Sequence, residues 1–427
     1  MACHLRNEIN CSLGWHTANQ LNLRQTPLDA RLLAGSDLAL ALRNTRERSW
    51  SWVDDLTDAQ WLPAQQAGVN PIAWELAHLA WFAEYWTLRD PHGRDAQGFA
   101  TSPKPPLFAA PDAHFDSARL AHEARWTTAL PSRSELKTLM AAQLEATVVA
   151  IDQSPGSTQP LADEALYFHR LALFHEDMHG EALCWLRSAL GYTAPRGLEG
   201  LAAVAGGTLH VAGAEMEVGI KRNATGFAFD NECAAERITL QPFEIDASPV
   251  SAGDFSRFVS AGGYDHADFW PGDAGKWRAQ SGVGHPKAWR SHGAGQWQLR
   301  WFDQWLPLDS DVANTPVIHV NAFEAEAYCL WAKRRLPSAA EWEHAALTLS
   351  GFHWGHSVWE WTANAFRPYP GFTPGPYREY SQPWFGNHRE LRGGAFATHA
   401  RMHNPRYRNF FLPYRSDIFA GFRTAAL

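Results

Sequence analysis

An α+β chain in two parts, a four-helix bundle followed by a domain of short strands and long loops, is the fold class the sequence predicts, on three observations. Apolar residues recur at helical spacing from Pro27 to Leu190. After Gly191 that periodicity gives way to short apolar segments separated by Gly, Pro and Asn, with tryptophans throughout. The length of 427 residues is too great for one small domain and suits two that each bury a core. The expected divisions are a polar, irregular segment at 1–26, the bundle at 27–200 and the strand-rich domain at 201–427.

Each element has its own signal. From Pro27, the residues Leu28, Leu32, Leu33, Leu38, Leu40 and Leu42 lead through Trp50 and Trp52 as a first amphipathic helix. Asn70 as a cap and Pro71 at the first helical position open a second helix that runs to about Arg89. Pro103, Pro105, Pro106 and Pro111 argue against regular structure in the long connection that follows. Ser132 and Glu135 read as a capping box for a third helix to about Gln153, and 161–190 is a fourth, stopped by Gly191. In the second part 206–211 and 237–246 read as strands, and 322–333 and 338–347 are the clearest helices.

The fourth helix carries the chemistry. His175 and His179 are four residues apart, so their imidazoles leave one face a turn apart, as two ligands of one metal should. Glu181, two positions on, points away from the pair and suits a supporting role better than ligation. The best third ligand is His78 in the second helix, because a histidine packed inside a bundle needs a partner for its ring nitrogens and a metal is one such partner. A core histidine bonded to a backbone carbonyl is the plain alternative. Histidines on two helices describe a metal site between them.

Composition narrows the function classes. The net charge of -8, with no run of Lys or Arg, gives no support for nucleic-acid binding. Five cysteines, odd in number and without CxxC spacing, argue against a disulfide scaffold or a structural zinc site and fit a reducing cytoplasm. No apolar run approaches the length that spans a bilayer, and no signal core is present. Twenty-one tryptophans supply core volume and walls for flat or cationic ligands.

Motifs spread along nearly the whole chain resemble known families. The first half resembles a DinB-type four-helix bundle with His-x3-His-x-Glu at His175, His179 and Glu181. The second resembles a formylglycine-generating-enzyme type domain, a variant of the C-type lectin fold. It does so through Gly206-Gly-Thr, Phe229-Asp-Asn-Glu232, Ser248-Pro-Val, Gly262-Gly-Tyr, Glu324-Ala-Glu-Ala-Tyr-Cys329, Arg335-Leu-Pro-Ser, Val358-Trp-Glu-Trp-Thr362, Leu391-Arg-Gly-Gly394 and Ala420-Gly-Phe-Arg423. Together they resemble the ergothioneine sulfoxide synthase group of nonheme iron enzymes and its relative, selenoneine synthase.

That resemblance implies iron(II) bound by His78, His175 and His179, with positions left for hercynine (trimethylhistidine), a chalcogen donor and O2. It implies a catalytic tyrosine in a Tyr-x-x-Tyr-Ser segment, which is Tyr377, with Tyr380 helping to hold the betaine and Asn409 and Phe410 contacting hercynine. Without the resemblance, both tyrosines read as ordinary packing.

Three departures bear on the donor. Synthases that use gamma-glutamylcysteine have an aspartate after the Asn-aromatic pair, where this chain has Phe411, whose ring cannot pair with an ammonium. Arg415 stands at the partner arginine's position, Met178 replaces a frequent glutamine, and Arg125 is the nearest match to an arginine supplied from the long connection. An uncharged selenosugar such as selenoglucose fits this pocket, which favours selenoneine synthase; a thiol donor, gamma-glutamylcysteine or cysteine, is the alternative.

Rivals from other classes have their own signals. His175 to His179 also satisfies His-Glu-x-x-His, with Glu199 downstream at a distance some zinc proteases use for a third ligand. Formylglycine generation requires two cysteines after Arg392-Gly-Gly394, and 395–408 contains none. A lectin-like binder without catalysis is the remaining option.

Overall fold

The computed structural model describes residues 30–427 apart from 67, 103, 108–111, 155–162 and 294, so the segment expected to be irregular at 1–26 lies outside the described residues. Four helices form the bundle: α1 (Gly35–Ser51), α2 (Ile72–Leu88), α3 (Arg133–Gln153) and α4 (Asp163–Leu190). Both α1 and α2 pack against α3 and α4, which closes the ring. Helix α1 buries Leu38, Ala41, Leu42, Thr45 and Ser49, the one-sided pattern of a helix with a solvent face. Helix α2 is buried at every position from Ile72 to Trp86, so it must be covered on all sides. Its extra cover is the long connection that follows it.

Three expectations are corrected here. Pro27 and Leu28 lie outside the described residues, but the expected single helix to Trp52 is interrupted: residues 31–34 are not helical and α1 starts at Gly35, whose φ of +49° an ordinary side chain resists. The preceding residues are drawn off to other partners: Arg31 donates to Glu232 of the second domain, and the Leu33 carbonyl accepts from Arg170. Asn70 does not cap α2; Pro71 is the capping position, and the Asn70 amide is taken by Glu75 at 2.7 Å. The long connection is not without regular structure, because it contains a strand pair, Gly93–Arg94 with Ala100–Thr101, and a helical turn, Asp112–Phe115. Arg89 and Trp81 of the buried helix bond to Asp112 and hold that turn in place. The capping box at Ser132 and Glu135 is present as expected.

The second domain has the expected short strands. Its largest sheet orders Asn409–Phe411, Arg389–Gly393, Trp359–Ala365 and Ala420–Gly421, the last pair parallel. A three-stranded meander (Trp289–Ser291, Trp297–Trp301, Gln304–Pro307) and two strand pairs lie beside it. Helices Ala322–Ala332 and Ala339–Thr348 both open with capping boxes. Two further helices, Ala252–Ser260 and Asp273–Ser281, were not expected; the first is capped by Ser251. Under the sheet, buried Arg392 bridges Glu343 and Glu390 at 3.0 and 2.8 Å, and Arg408 bonds Glu390 at 2.7 Å.

The two parts share one continuous apolar core that runs from Leu38 of α1 to Phe422. Helix α4 is the element common to both. Its Asp177 takes Thr45 of α1 and Arg401 of the second domain, and its Glu181 accepts from Trp359 and Thr398, each at 2.6 Å. Among the described residues no helix is long and apolar enough to cross a membrane.

Candidate metal centre

The face of α4 opposite those anchors presents His175 and His179 to α2. One ring nitrogen from each of His78, His175 and His179 lies within 4.8 Å of the other two. The tautomers of two rings follow from their partners. His78 Nδ1 sits 2.7 Å from the Phe115 carbonyl, and His179 Nδ1 sits 2.8 Å from Glu75 Oε2. A carbonyl and a carboxylate only accept, so both Nδ1 atoms carry protons and both Nε2 lone pairs are left for a metal.

Electrostatics keep the His78 and His175 rings neutral. Burial first, and His179 next to it second, push the His78 pKa down to about 3; the same two causes hold His175 well below its ordinary value. Glu75 is only 2% exposed, yet against that burial His179 and Asn70 hold its carboxyl down at about 2. Asn70 in turn accepts from Arg125, whose guanidinium lies 4.1 Å from the Trp74 ring centroid. Arg125 is thereby committed to the support of the histidines. Imidazoles in convergent array, two of them buried, are what a divalent iron or zinc ion binds.

Aromatic rings wall the trio. Phe82 stacks parallel on His175 with centroids 3.5 Å apart, and Trp74 stacks on His78 at 5.0 Å. Tyr377 comes from the second domain, its ring 5.0 Å from Phe82 and 6.4 Å from His175. Burial, then Glu379 and Asp116, raise its pKa, so the phenol is protonated at neutral pH and can donate. Tyr380 stacks on Phe229 at 4.4 Å, and its hydroxyl meets Tyr407 Oη at 2.9 Å and Met178 Sδ at 3.6 Å. Phe410 meets Tyr380 edge-on at 5.7 Å and stacks on Phe366. The Asn409 side chain accepts from the Phe410 amide. Phe411 lies under Arg415, which also covers Trp185 of α4 and forks onto Asp417.

Several participants were missed from sequence. Glu75 had a signal, because it stands one helical turn before His78. Tyr407, Phe82 and the Phe115 carbonyl had none, since nothing local marks a contact made across elements. The protease pattern loses its parts: Glu176 is held by Arg46 at 2.7 Å, and Glu199 is outside the histidine cluster.

Fold and site together define a class: a histidine trio of metal-ligating geometry in a helical bundle, closed by a strand-rich domain that contributes tyrosines. Residues 187–357 and 354–426 match the sulfatase-modifying factor enzyme 1-like domain, and the chain belongs to that family. Residues 41–183 match the DinB superfamily. The hercynine oxygenase of Mycolicibacterium smegmatis is 28% identical over 452 residues, which covers 92% of this chain and 99% of that protein. The hercynine oxygenase of Mycolicibacterium thermoresistibile is 29% identical over 448 residues, covering 91% and 94%. The formylglycine-generating enzyme of Mus musculus is 33% identical over 147 residues, covering only 30% and 38%.

Proposed function

We propose that this protein is an iron(II)- and O2-dependent oxidoreductase that joins a chalcogen to the imidazole of hercynine, and that its donor is a selenosugar, so that it acts as a selenoneine synthase. The observation that carries the reading is the trio His78, His175 and His179 beside Tyr377, in a chain related over nearly its full length to hercynine oxygenases. A ferrous ion held by Nε2 of His78 and of His179 and by one ring nitrogen of His175 would supply vacant positions for substrates and would relay to O2 the electrons released by C–Se bond formation and selenium oxidation. The protein's own part is positional and protonic. The Phe115 carbonyl and Glu75 hold two rings in their ligating tautomers, and Phe82, Trp74 and Trp86 exclude water. Tyr377 holds at Oη the proton required for O2 reduction, while Tyr380, Asn409 and Phe410 line the betaine side.

In the overall reaction the imidazole C–H and the donor Se–H are replaced by a C–Se bond, one oxygen atom ends on selenium and the other leaves as water. The donor assignment rests on charge. Phe411 cannot pair an ammonium, and Arg415 is already neutralised by Asp417, with both nitrogens 2.5 Å from its oxygens. Met178 is occupied by two phenols and leaves no amide there. Anaerobic Fe(II)-loaded protein is mixed with hercynine and, in parallel, selenoglucose, thioglucose, gamma-glutamylcysteine or cysteine, then exposed to O2, and product masses are read. Coupling to selenoglucose is expected to dominate. Preference for gamma-glutamylcysteine overturns the donor assignment and makes the protein an ergothioneine sulfoxide synthase; no hercynine adduct with any donor overturns the reaction.

A further inference from the structure

The loop that bears both site tyrosines is tied at its two ends by one carboxylate. Asp230 accepts the Ser381 hydroxyl on Oδ1 and the Gly375 amide on Oδ2 at 3.1 Å, and Tyr377 and Tyr380 lie between those anchors. The approach is close: a Cβ on Gly375 would stand 3.3 Å from Asp230 Cβ and 3.5 Å from Tyr167 Oη. Asp230 is itself a fixed point, because the turn Asp230–Glu232 is gripped from both parts of the molecule. Arg31, beside the bundle, forks onto Glu232 at 2.6 and 2.8 Å, and Arg408, next to the main sheet, donates to the Asn231 carbonyl at 2.6 Å. On the outer side of the loop, Arg378 reaches back to the Gly98 carbonyl of the long connection at 3.3 Å.

We propose that Asp230 is the positioning residue of the tyrosine loop: by accepting from both Gly375 and Ser381 it sets the Tyr377 phenol beside His175 and the Tyr380 phenol against Met178. This deepens the reading of Tyr377 given above and rests on it. Burial raises the Asp230 pKa while Ser381 and the Gly375 amide lower it, which is the signature of a carboxylate kept in an apolar place by the groups it organises. Its two loop partners are neutral donors, one on each carboxylate oxygen.

Asp230→Asn keeps the volume but offers one side-chain acceptor to two donors, and Ser381→Ala removes one donor while leaving Asp230 in place. Hydrogen–deuterium exchange of the metal-free protein is read over 375–381 and over α4. Loss of an anchor to a charged acceptor is expected to speed exchange in 375–381 roughly tenfold or more, with α4 unchanged. In the Fe(II)-loaded protein, Asp230→Asn is expected to lower the share of O2 consumption that yields coupled product, and to add nothing to the partition of Tyr377→Phe. Unchanged exchange in 375–381 overturns the anchoring; an additive effect in the double variant overturns action through Tyr377. If Asp230→Asn fails to fold, Ser381→Ala carries the same two measurements. Should the wild type couple no donor at all, the proposed reaction falls while the exchange data still decide the anchoring.

Discussion

Glu75→Gln isolates the part the bundle plays in holding the metal. The Glu75 carboxylate has two acceptor oxygens and two committed donors, Asn70 Nδ2 at 2.7 Å and His179 Nδ1 at 2.8 Å. A glutamine has one acceptor and one donor, so one of these bonds is lost, or an amide faces the Asn70 amide donor to donor. The charge that strengthens the His179 bond also disappears, at a site only 2% exposed where water cannot replace it. Partners of this kind are worth about 10–100-fold in metal affinity, which is roughly 1.4–2.8 kcal/mol. The assay is anaerobic competition for Fe(II) against a coloured chelator, with thermal melting of the metal-free variant as the control for folding. Affinity within twofold of the wild type, in a variant that melts normally, would refute the claim that Glu75 orients His179 for ligation.

Three further outcomes are expected. Tyr377→Phe removes the half-buried phenol beside His175 and shifts product from the hercynine adduct to oxidised donor; mass spectrometry that finds the adduct at the wild-type rate removes Tyr377 from the chemistry. Phe411→Asp places a carboxylate beside Arg415 and raises kcat/KM for gamma-glutamylcysteine relative to selenoglucose by about tenfold or more; an unchanged ratio shows that this wall does not choose the donor. Glu390 is buried, but Arg408 and Arg392 hold its pKa below the ordinary 4.5. Its folded pKa is depressed, so the stability it contributes is complete above about pH 4.5 and is lost as pH falls through the folded value. Glu390→Gln leaves two buried guanidinium groups short of charge and costs about 3–5 kcal/mol at neutral pH by denaturant unfolding. It also flattens the acid limb of the stability curve, and a variant as acid-sensitive as the wild type would clear Glu390 of that role.

The reach of the linear sequence can be judged from particular elements. Ser132 with Glu135 marked the start of α3 correctly, because a capping box is a bond between residues three apart and needs nothing else. Asn70 misled for the opposite reason: its amide is claimed by Glu75 and Arg125, and the competition with Arg125 is invisible without the fold. The continuity expected from Leu28 to Trp52 failed likewise, since residues 31–34 are not helical and Arg31 meets Glu232, two hundred and one positions away.

Local periodicity was therefore enough to announce a helical first half and a strand-rich second half, and to place His175 and His179 on one face, because both rest on contacts within a few residues along the chain. His78 was a candidate from sequence and Tyr377 from resemblance, but that their rings meet the pair, that Phe115 and Glu75 set the tautomers and that one carboxylate at Asp230 ties the tyrosine loop were decided only by tertiary packing. Such contacts depend on which surfaces bury each other, and spacing along the chain carries no record of that.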